Sequence, residues 1–174
     1  MKRLLPAMAL VPHEDVVTLY RNAMALPPLT DAANIQVRDA YLEDAPLLLH
    51  FDHLAFAPPW QMPLEDLRQA VRQAASATII SWQGEPLGYQ ISTRHHGSGH
   101  LARIAIHPNG QGRGLGAALL DDTLRRFLRR GVRSVTVNTQ ASNTRSQHLY
   151  ERYDFRRNGF DLHVYSTDLM PPKT

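Results

Sequence analysis

The sequence predicts a mixed protein of the α/β or α+β class, with helices flanking a central sheet. Short runs rich in β-branched residues alternate with segments of helical periodicity, in the order β-α-α-β-β-β-α-β-α-β. The chain has 174 residues, of which 43% are hydrophobic, enough for one domain with a sizeable core. We therefore expect a domain at residues 34–170, preceded by an N-terminal extension at residues 1–33.

The extension differs from the rest because four prolines bracket a single helix candidate. That candidate is HEDVVTLYRNAMAL, residues 13–26, in which Val16, Val17, Leu19 and Tyr20 recur at roughly helical spacing. The sequence therefore predicts one helix in this segment.

The domain itself is predicted to contain six strands and four helices. The strands are NIQVRDA, two runs of ATIISWQGEPLGYQIST that form a hairpin around Gly84, HLARIAIHP, VRSVTVNT and LHVYSTDL. The helices are YLEDAPLLLHFDHLAF, PLEDLRQAVRQAAS, GLGAALLDDTLRRFLRR and NTRSQHLYERY.

The amino-acid composition of the chain excludes several classes of function. The chain has no cysteine, which excludes a disulfide framework, a thiolate zinc site and a cysteine nucleophile. His95 and His96 are adjacent, but no further ligands are evident, so we expect no metal. A net charge of +3 is too small to indicate nucleic acid, and no apolar run reaches the ~18 residues of a membrane span. We expect a cytoplasmic protein that binds neither nucleic acid nor a membrane.

The stretch HPNGQGRGLGAALL, residues 107–120, carries four glycines between a predicted strand and a predicted helix. Free N–H groups at a helix N-terminus, approached closely through glycines, form a phosphate-binding site. A Walker A loop is excluded because no lysine is present. The dinucleotide pattern G-x-G-x-x-G/A is formally met by Gly112, Gly114 and Ala117, but no acid follows at about 20 residues. Since Arg133 could serve a 2′-phosphate, an NADP-binding oxidoreductase stays open.

With its flanks, IAIHPNGQGRGLGAALL resembles the pyrophosphate loop of the GCN5-related N-acetyltransferases, the GNAT superfamily. Gln111, Gly114 and Gly116 match the pattern Q/R-x-x-G-x-G/A of that loop. The second family element, N-x-x-A-x-x-L-Y-x-x-x-G-F, is matched by Asn143, Leu149, Tyr150 and Phe155, with Ser146 and Asp154 as departures. The resemblance covers residues 34–170 and is nearest in motif to the bacterial ribosomal-protein alanine N-acetyltransferases.

The resemblance implies a GNAT fold whose mixed sheet splays between strands 4 and 5. It implies acetyl-CoA as cofactor and direct acetyl transfer to a primary amine of a small molecule or a peptide N-terminus. The cofactor-binding residues it implies are Ile104, Ala105 and Ile106 for the pantetheine; Gln111, Gly112, Arg113, Gly114, Leu115, Gly116 and Ala117 for the pyrophosphate; and Asn143 and Ser146 in the second motif.

For catalysis, the resemblance places Tyr150 as the acid that protonates the departing thiolate. His100 falls where arylalkylamine acetyltransferases carry a histidine, and either it or a water chain could act as base. Asn138 stands where the alanine acetyltransferases use a glutamate base; because asparagine takes up no proton, we expect it to contact the substrate.

Phe56 and Trp60 suit an apolar wall for the acceptor, and Asp52, Glu65 or Asp66 could attract its ammonium group. The chain could form a homodimer. A catalytically silent acyl-CoA-binding regulatory module remains the second hypothesis.

Overall fold

The computed structural model describes residues 10–22, 26 and 34–167. They form two compact units, a larger one within Arg21–Val137 and a smaller one made of residues 10–20 and 138–167. The start of the predicted extension, Pro6, Pro27 and Pro28 lie outside the described residues. No helix in the described part of the chain is long and apolar enough to cross a membrane.

The larger unit contains a mixed sheet. Its strands are β2 (Ile35–Asp39), β3 (Ser76–Trp82), β4 (Glu85–His95), β5 (Ser98–Ile106) and the start of β6 (Ser134–Gln140). They are ordered β2-β3-β4-β5-β6; successive pairs are antiparallel as far as β5, and β5 and β6 are parallel. A parallel pair needs a crossover, which the helix between β5 and β6 supplies.

Tight turns set the register of the antiparallel strands. Gln83 and Gly84 both have positive φ, and so do His96 and Gly97, as in type I′ hairpin turns. The hairpin predicted around Gly84 is therefore confirmed. The second turn is tight, because β4 continues as far as His95 and β5 begins at Ser98.

Helices cover both faces of this sheet. Helices α1 (Ala45–Ala55) and α2 (Leu64–Gln73) pack on one face, and α3 (Leu115–Arg129) packs on the other. Ile79 and Ile80 are successive residues of β3 and point to opposite faces, as strand geometry requires. Ile79 joins the cluster with Leu48 and Leu67, whereas Ile80 joins the cluster with Leu119.

The smaller unit corrects the helix predicted at residues 13–26. Residues 13–22 of that segment lie in strand β1 (Leu10–Asn22), which pairs antiparallel with β7 (Arg156–Arg157) and β8 (Leu162–Thr167). Val17 and Leu19 are buried between more exposed neighbours, so the true period is two. Helix α4 (Thr144–Arg152) completes the unit.

Candidate active site

Strand β5 has a bulge at Ala102 and loses its pairing with β6 at the same point. Arg103 pairs with Ile91 of β4, and Leu101 pairs with Ser92, so Ala102 is the extra residue of a β-bulge. On its other side, the parallel pairing with β6 ends at Leu101 and Val137 in the described residues. The segment from Ala102 to Ile106 thus keeps one edge without a paired strand, which confirms the predicted opening between the fourth and fifth predicted strands.

The glycine-rich loop joins this open strand to α3. Gly112 has φ +78° and Gly114, the N-cap of α3, has φ +81°, a left-handed conformation that side chains disfavour. A Cβ at either residue would meet no atom within 4 Å. These two glycines therefore allow the left-handed backbone conformation and leave open space around it, which close approach of a ligand requires.

A third glycine of the loop has a packing role. A Cβ on buried Gly110 would lie 2.9 Å from Leu115 Cδ1 and 3.1 Å from Leu87 Cβ. Gly110 is thus required because the loop packs tightly against the core. The four alternating glycines do not have one common purpose.

The backbone of the loop presents donors at the start of α3. The Ala118 N–H makes the first helical bond, to the Gly114 carbonyl at 3.0 Å, so Leu115 and Gly116 have no carbonyl partner inside the helix by geometry. The Gln111 N–H, predicted to face a pyrophosphate, instead donates to the Pro108 carbonyl at 3.1 Å.

Charge at the loop favours an anion. Arg113 is exposed, with its guanidinium carbon 5.7 Å from the centre of the Trp82 ring. No Asp or Glu occurs between Glu85 and Asp121, and the helix dipole adds partial positive charge at the N-terminus of α3. The loop can therefore bind a phosphate by donors and charge together.

His100 lies on β5 just before the bulge. Its Nδ1 is 2.9 Å from the Thr136 hydroxyl of β6, directly opposite in the parallel register. Burial lowers the pKa of His100 below its usual value, so the imidazole is neutral at pH 7. A neutral imidazole can accept a proton, which is what a base on this strand would have to do.

A buried ionic network anchors the loop between α1 and α2, residues 56–63, hereafter the α1–α2 loop. Asp52 is completely buried; its Oδ2 accepts from the Tyr89 hydroxyl at 2.7 Å and from Arg103 Nε at 2.7 Å. Its Oδ1 accepts from the Met62 N–H at 2.8 Å. Arg103 also donates to the Trp60 carbonyl at 2.6 Å.

This network corrects one expectation. Asp52 was one of three carboxylates that could attract an ammonium group, but it already neutralises Arg103 and accepts three kinds of donor. Burial, followed by the adjacent Asp52 charge, raises the pKa of Tyr89 far above its usual value, so this tyrosine remains a proton donor to Asp52. Asp52 is therefore a structural group.

The two residues predicted to form the acceptor wall lie on the α1–α2 loop. Both are half-buried, and the guanidinium carbon of Arg103 sits 3.8 Å from the centre of the Phe56 ring, a cation–π contact. Arg103 and Tyr89 were not among the site residues predicted from the sequence. A signal for Arg103 was present, since it is the only charge within the otherwise apolar run LARIAI.

The other predicted site residues lie in the smaller unit. Tyr150 on α4 is 2% exposed, its ring centre is 5.7 Å from that of Phe155, and burial raises the pKa of its hydroxyl well above the usual value. Asn143 caps α4 by accepting from the Ser146 N–H at 3.0 Å, and Asn138 is exposed on β6.

Comparison with known proteins agrees with this fold. Residues 36–155, more than half of the chain, match the acetyltransferase (GNAT) family. The chain belongs to that family.

Curated relatives are named as acetyltransferases. Mycothiol acetyltransferase of Geodermatophilus obscurus is 32% identical over 111 residues, which cover 56% of this chain and 35% of the relative. The [ribosomal protein bS18]-alanine N-acetyltransferase of Escherichia coli is 27% identical over 124 residues, covering 71% and 82%. The matched segment thus spans only about a third of the length of the first relative.

Solved structures share the fold. A GCN5-related N-acetyltransferase from Sphaerobacter thermophilus superimposes with a TM-score of 0.70 at 22% identity, covering 94% of this chain and 53% of that one. The PaiA N-acetyltransferase of Thermoplasma acidophilum, solved in complex with coenzyme A, has a TM-score of 0.62 at 12% identity, covering 68% and 87%.

Proposed function

We propose that this protein transfers an acetyl group from acetyl-CoA to a primary amine. The observation that carries the proposal is the open edge of β5, which leads directly into a glycine loop at the N-terminus of α3. An unpaired strand edge suits an amide-bearing chain such as pantetheine, and the loop suits a pyrophosphate. The strand edge for the pantetheine and the loop for the pyrophosphate follow each other directly in the chain.

The cofactor contacts follow from these residues. The edge of Ile104, Ala105 and Ile106 would hold the pantetheine through backbone hydrogen bonds. The N–H groups from Gly112 to Gly116 would hold the pyrophosphate, and Arg113 would add charge. The Gln111 side chain, whose Nε2 reaches the Ile106 carbonyl at 3.4 Å, would fix the loop rather than contact the phosphate. The match to the family motifs supports three further proposed cofactor contacts, at Ala117, Asn143 and Ser146.

The chemistry requires one proton acceptor and one donor. When bound, acetyl-CoA supplies the acetyl group as a thioester; the amine nitrogen forms the new C–N bond, the C–S bond breaks, and free thiol leaves. His100, neutral because of burial, would accept the proton from the amine. Tyr150, whose raised pKa keeps it protonated, would return a proton to sulfur.

The acceptor is proposed to be a primary amine of a small molecule or a peptide N-terminus. Phe56 and Trp60 would form its apolar wall, and Asn138 would contribute a polar contact without taking up a proton. One curated relative is named for an alanine substrate on a ribosomal protein and another for mycothiol, so the relatives support both substrate classes. A cytoplasmic location is part of the proposal, in keeping with a chain that has no cysteine.

The test is a thiol-release assay with acetyl-CoA and a panel of amines. The panel contains a peptide beginning with alanine, glucosamine, spermidine and phenethylamine, and calorimetry measures acetyl-CoA binding alongside. We expect binding and thiol release with at least one amine. Binding without release for every amine would favour the silent acyl-CoA-binding module, and absence of binding would contradict both hypotheses.

A further inference from the structure

We propose that Arg103 is a positioning residue that fixes the α1–α2 loop on strand β5 and thereby sets where the amine acceptor meets the thioester. The proposal rests on the proposed acetyl transfer. It assigns Arg103 no contact with the reacting atoms; its action runs through the loop that carries Phe56 and Trp60.

Arg103 contacts the loop directly at two points and is linked to a third point through Asp52. Its guanidinium stacks on the Phe56 ring at 3.8 Å, and Nη2 donates to the Trp60 carbonyl at 2.6 Å. Through Asp52, which it neutralises, it also fixes the Met62 N–H. Two direct contacts and one through Asp52, between Phe56 and Met62, leave the loop little freedom to shift along the strand.

The backbone of Arg103 lies on β5, next to the proposed reaction site. Arg103 follows the bulge residue Ala102 and precedes Ile104, the first residue of the proposed pantetheine edge. One residue therefore links the strand that would hold the cofactor to the loop that would hold the acceptor. Because a displacement of about 1 Å between reactants can cost about 10²-fold in rate, a rigid link at this point has a direct use.

A simple charge at this position would not suffice. The contacts use the planar fork of the guanidinium. Nε and Nη2 both contact Asp52 Oδ2, Nη2 also donates to the Trp60 carbonyl, and the flat face lies on the Phe56 ring. Lysine keeps the charge that neutralises buried Asp52 but offers neither the fork nor the flat face. Arg103→Lys therefore loosens the loop while leaving Asp52 with a counter-ion.

The experiment compares Arg103→Lys with wild type and with Arg68→Lys. The control is also an arginine in an ion pair, but it pairs with exposed Glu65 on α2. Two quantities are measured: hydrogen–deuterium exchange of a peptide spanning the α1–α2 loop, without ligand, and steady-state kinetics with the panel amine that wild type acetylates fastest.

For Arg103→Lys we expect faster exchange in the loop, including the Met62 amide. We also expect a KM for the amine raised about tenfold or more, with acetyl-CoA affinity within about twofold of wild type. Arg68→Lys should match wild type in every measurement.

Unchanged loop exchange in folded Arg103→Lys would overturn the proposal. An equal weakening of acetyl-CoA binding and of amine binding, seen as a higher KM, would also overturn it, because that result indicates general damage to the strand. If wild type acetylates no amine, the proposed function fails, and the exchange data alone still decide whether Arg103 anchors the loop.

Discussion

Replacing Gly114 with alanine tests whether the glycine loop binds acetyl-CoA. Gly114 is the N-cap of α3 at φ +81°, and a Cβ built there meets nothing within 4 Å. Gly114→Ala therefore creates no clash in the free protein. It introduces only backbone strain and a methyl group in the space that a pyrophosphate would occupy.

The two effects have different magnitudes. An L-residue held in the left-handed region costs about 1–2 kcal/mol, which sets the expected loss in free energy of unfolding. Loss of one hydrogen bond to a charged phosphate costs about 1.5–3 kcal/mol, or roughly 10- to 150-fold in acetyl-CoA affinity. The variant should thus stay folded while its affinity falls by at least about tenfold.

Gly131 provides a matched control at the other end of α3. It has φ +68°, and its added Cβ also meets nothing within 4 Å. Gly131→Ala should lose about the same stability in urea unfolding, with acetyl-CoA affinity unchanged by calorimetry. Equal affinity in Gly114→Ala and wild type would refute the reasoning and leave the loop with a purely structural role.

Three further substitutions test individual side chains. His100→Ala should lower kcat/KM and abolish the acid limb of the pH–rate profile, which in wild type lies below the ordinary histidine pKa because burial lowers it; a profile of the same shape would assign the base elsewhere. Tyr150→Phe should lower kcat about 10²-fold with little change in acetyl-CoA affinity, and a wild-type kcat in steady-state assays would exclude the acid role. Tyr89→Phe removes a hydrogen bond to a buried carboxylate and should cost about 1.5–3 kcal/mol in urea unfolding, whereas an unchanged midpoint would contradict the Asp52 network.

The local sequence pattern was sufficient to predict most helices and strands of the domain. The hairpin around Gly84 and the helix that begins after the glycine loop carry their own turn and capping residues, so neighbouring residues specify them. Strand β1 lacks this local specification. Its run Val16-Val17-Thr18 is β-branched, but the spacing of its apolar residues also fits a helix. Its partners in β7 and β8 lie 136 to 157 residues away in the chain.

The site shows the same division between local and distant information. The glycine loop was read from the sequence because its chemistry occupies consecutive residues. The role of Asp52 was not, because a carboxylate near a helix end is solvated or buried according to what folds onto it, here Tyr89 and Arg103 from 37 and 51 residues away. Neither the domain boundary at residue 33 nor the homodimer is tested by these observations, and both stay predictions.

The central claim is that an acetyl group passes from acetyl-CoA to an amine. The most direct measurement follows isotopically labelled acetyl groups from acetyl-CoA into the amine product by mass spectrometry, with released thiol quantified in the same reaction. The account predicts one labelled N-acetyl product for each thiol released, with both lost together in Gly114→Val, where a β-branched residue occupies the left-handed N-cap. Thiol release without labelled amine, or labelled amine at the wild-type rate in folded Gly114→Val, would contradict it.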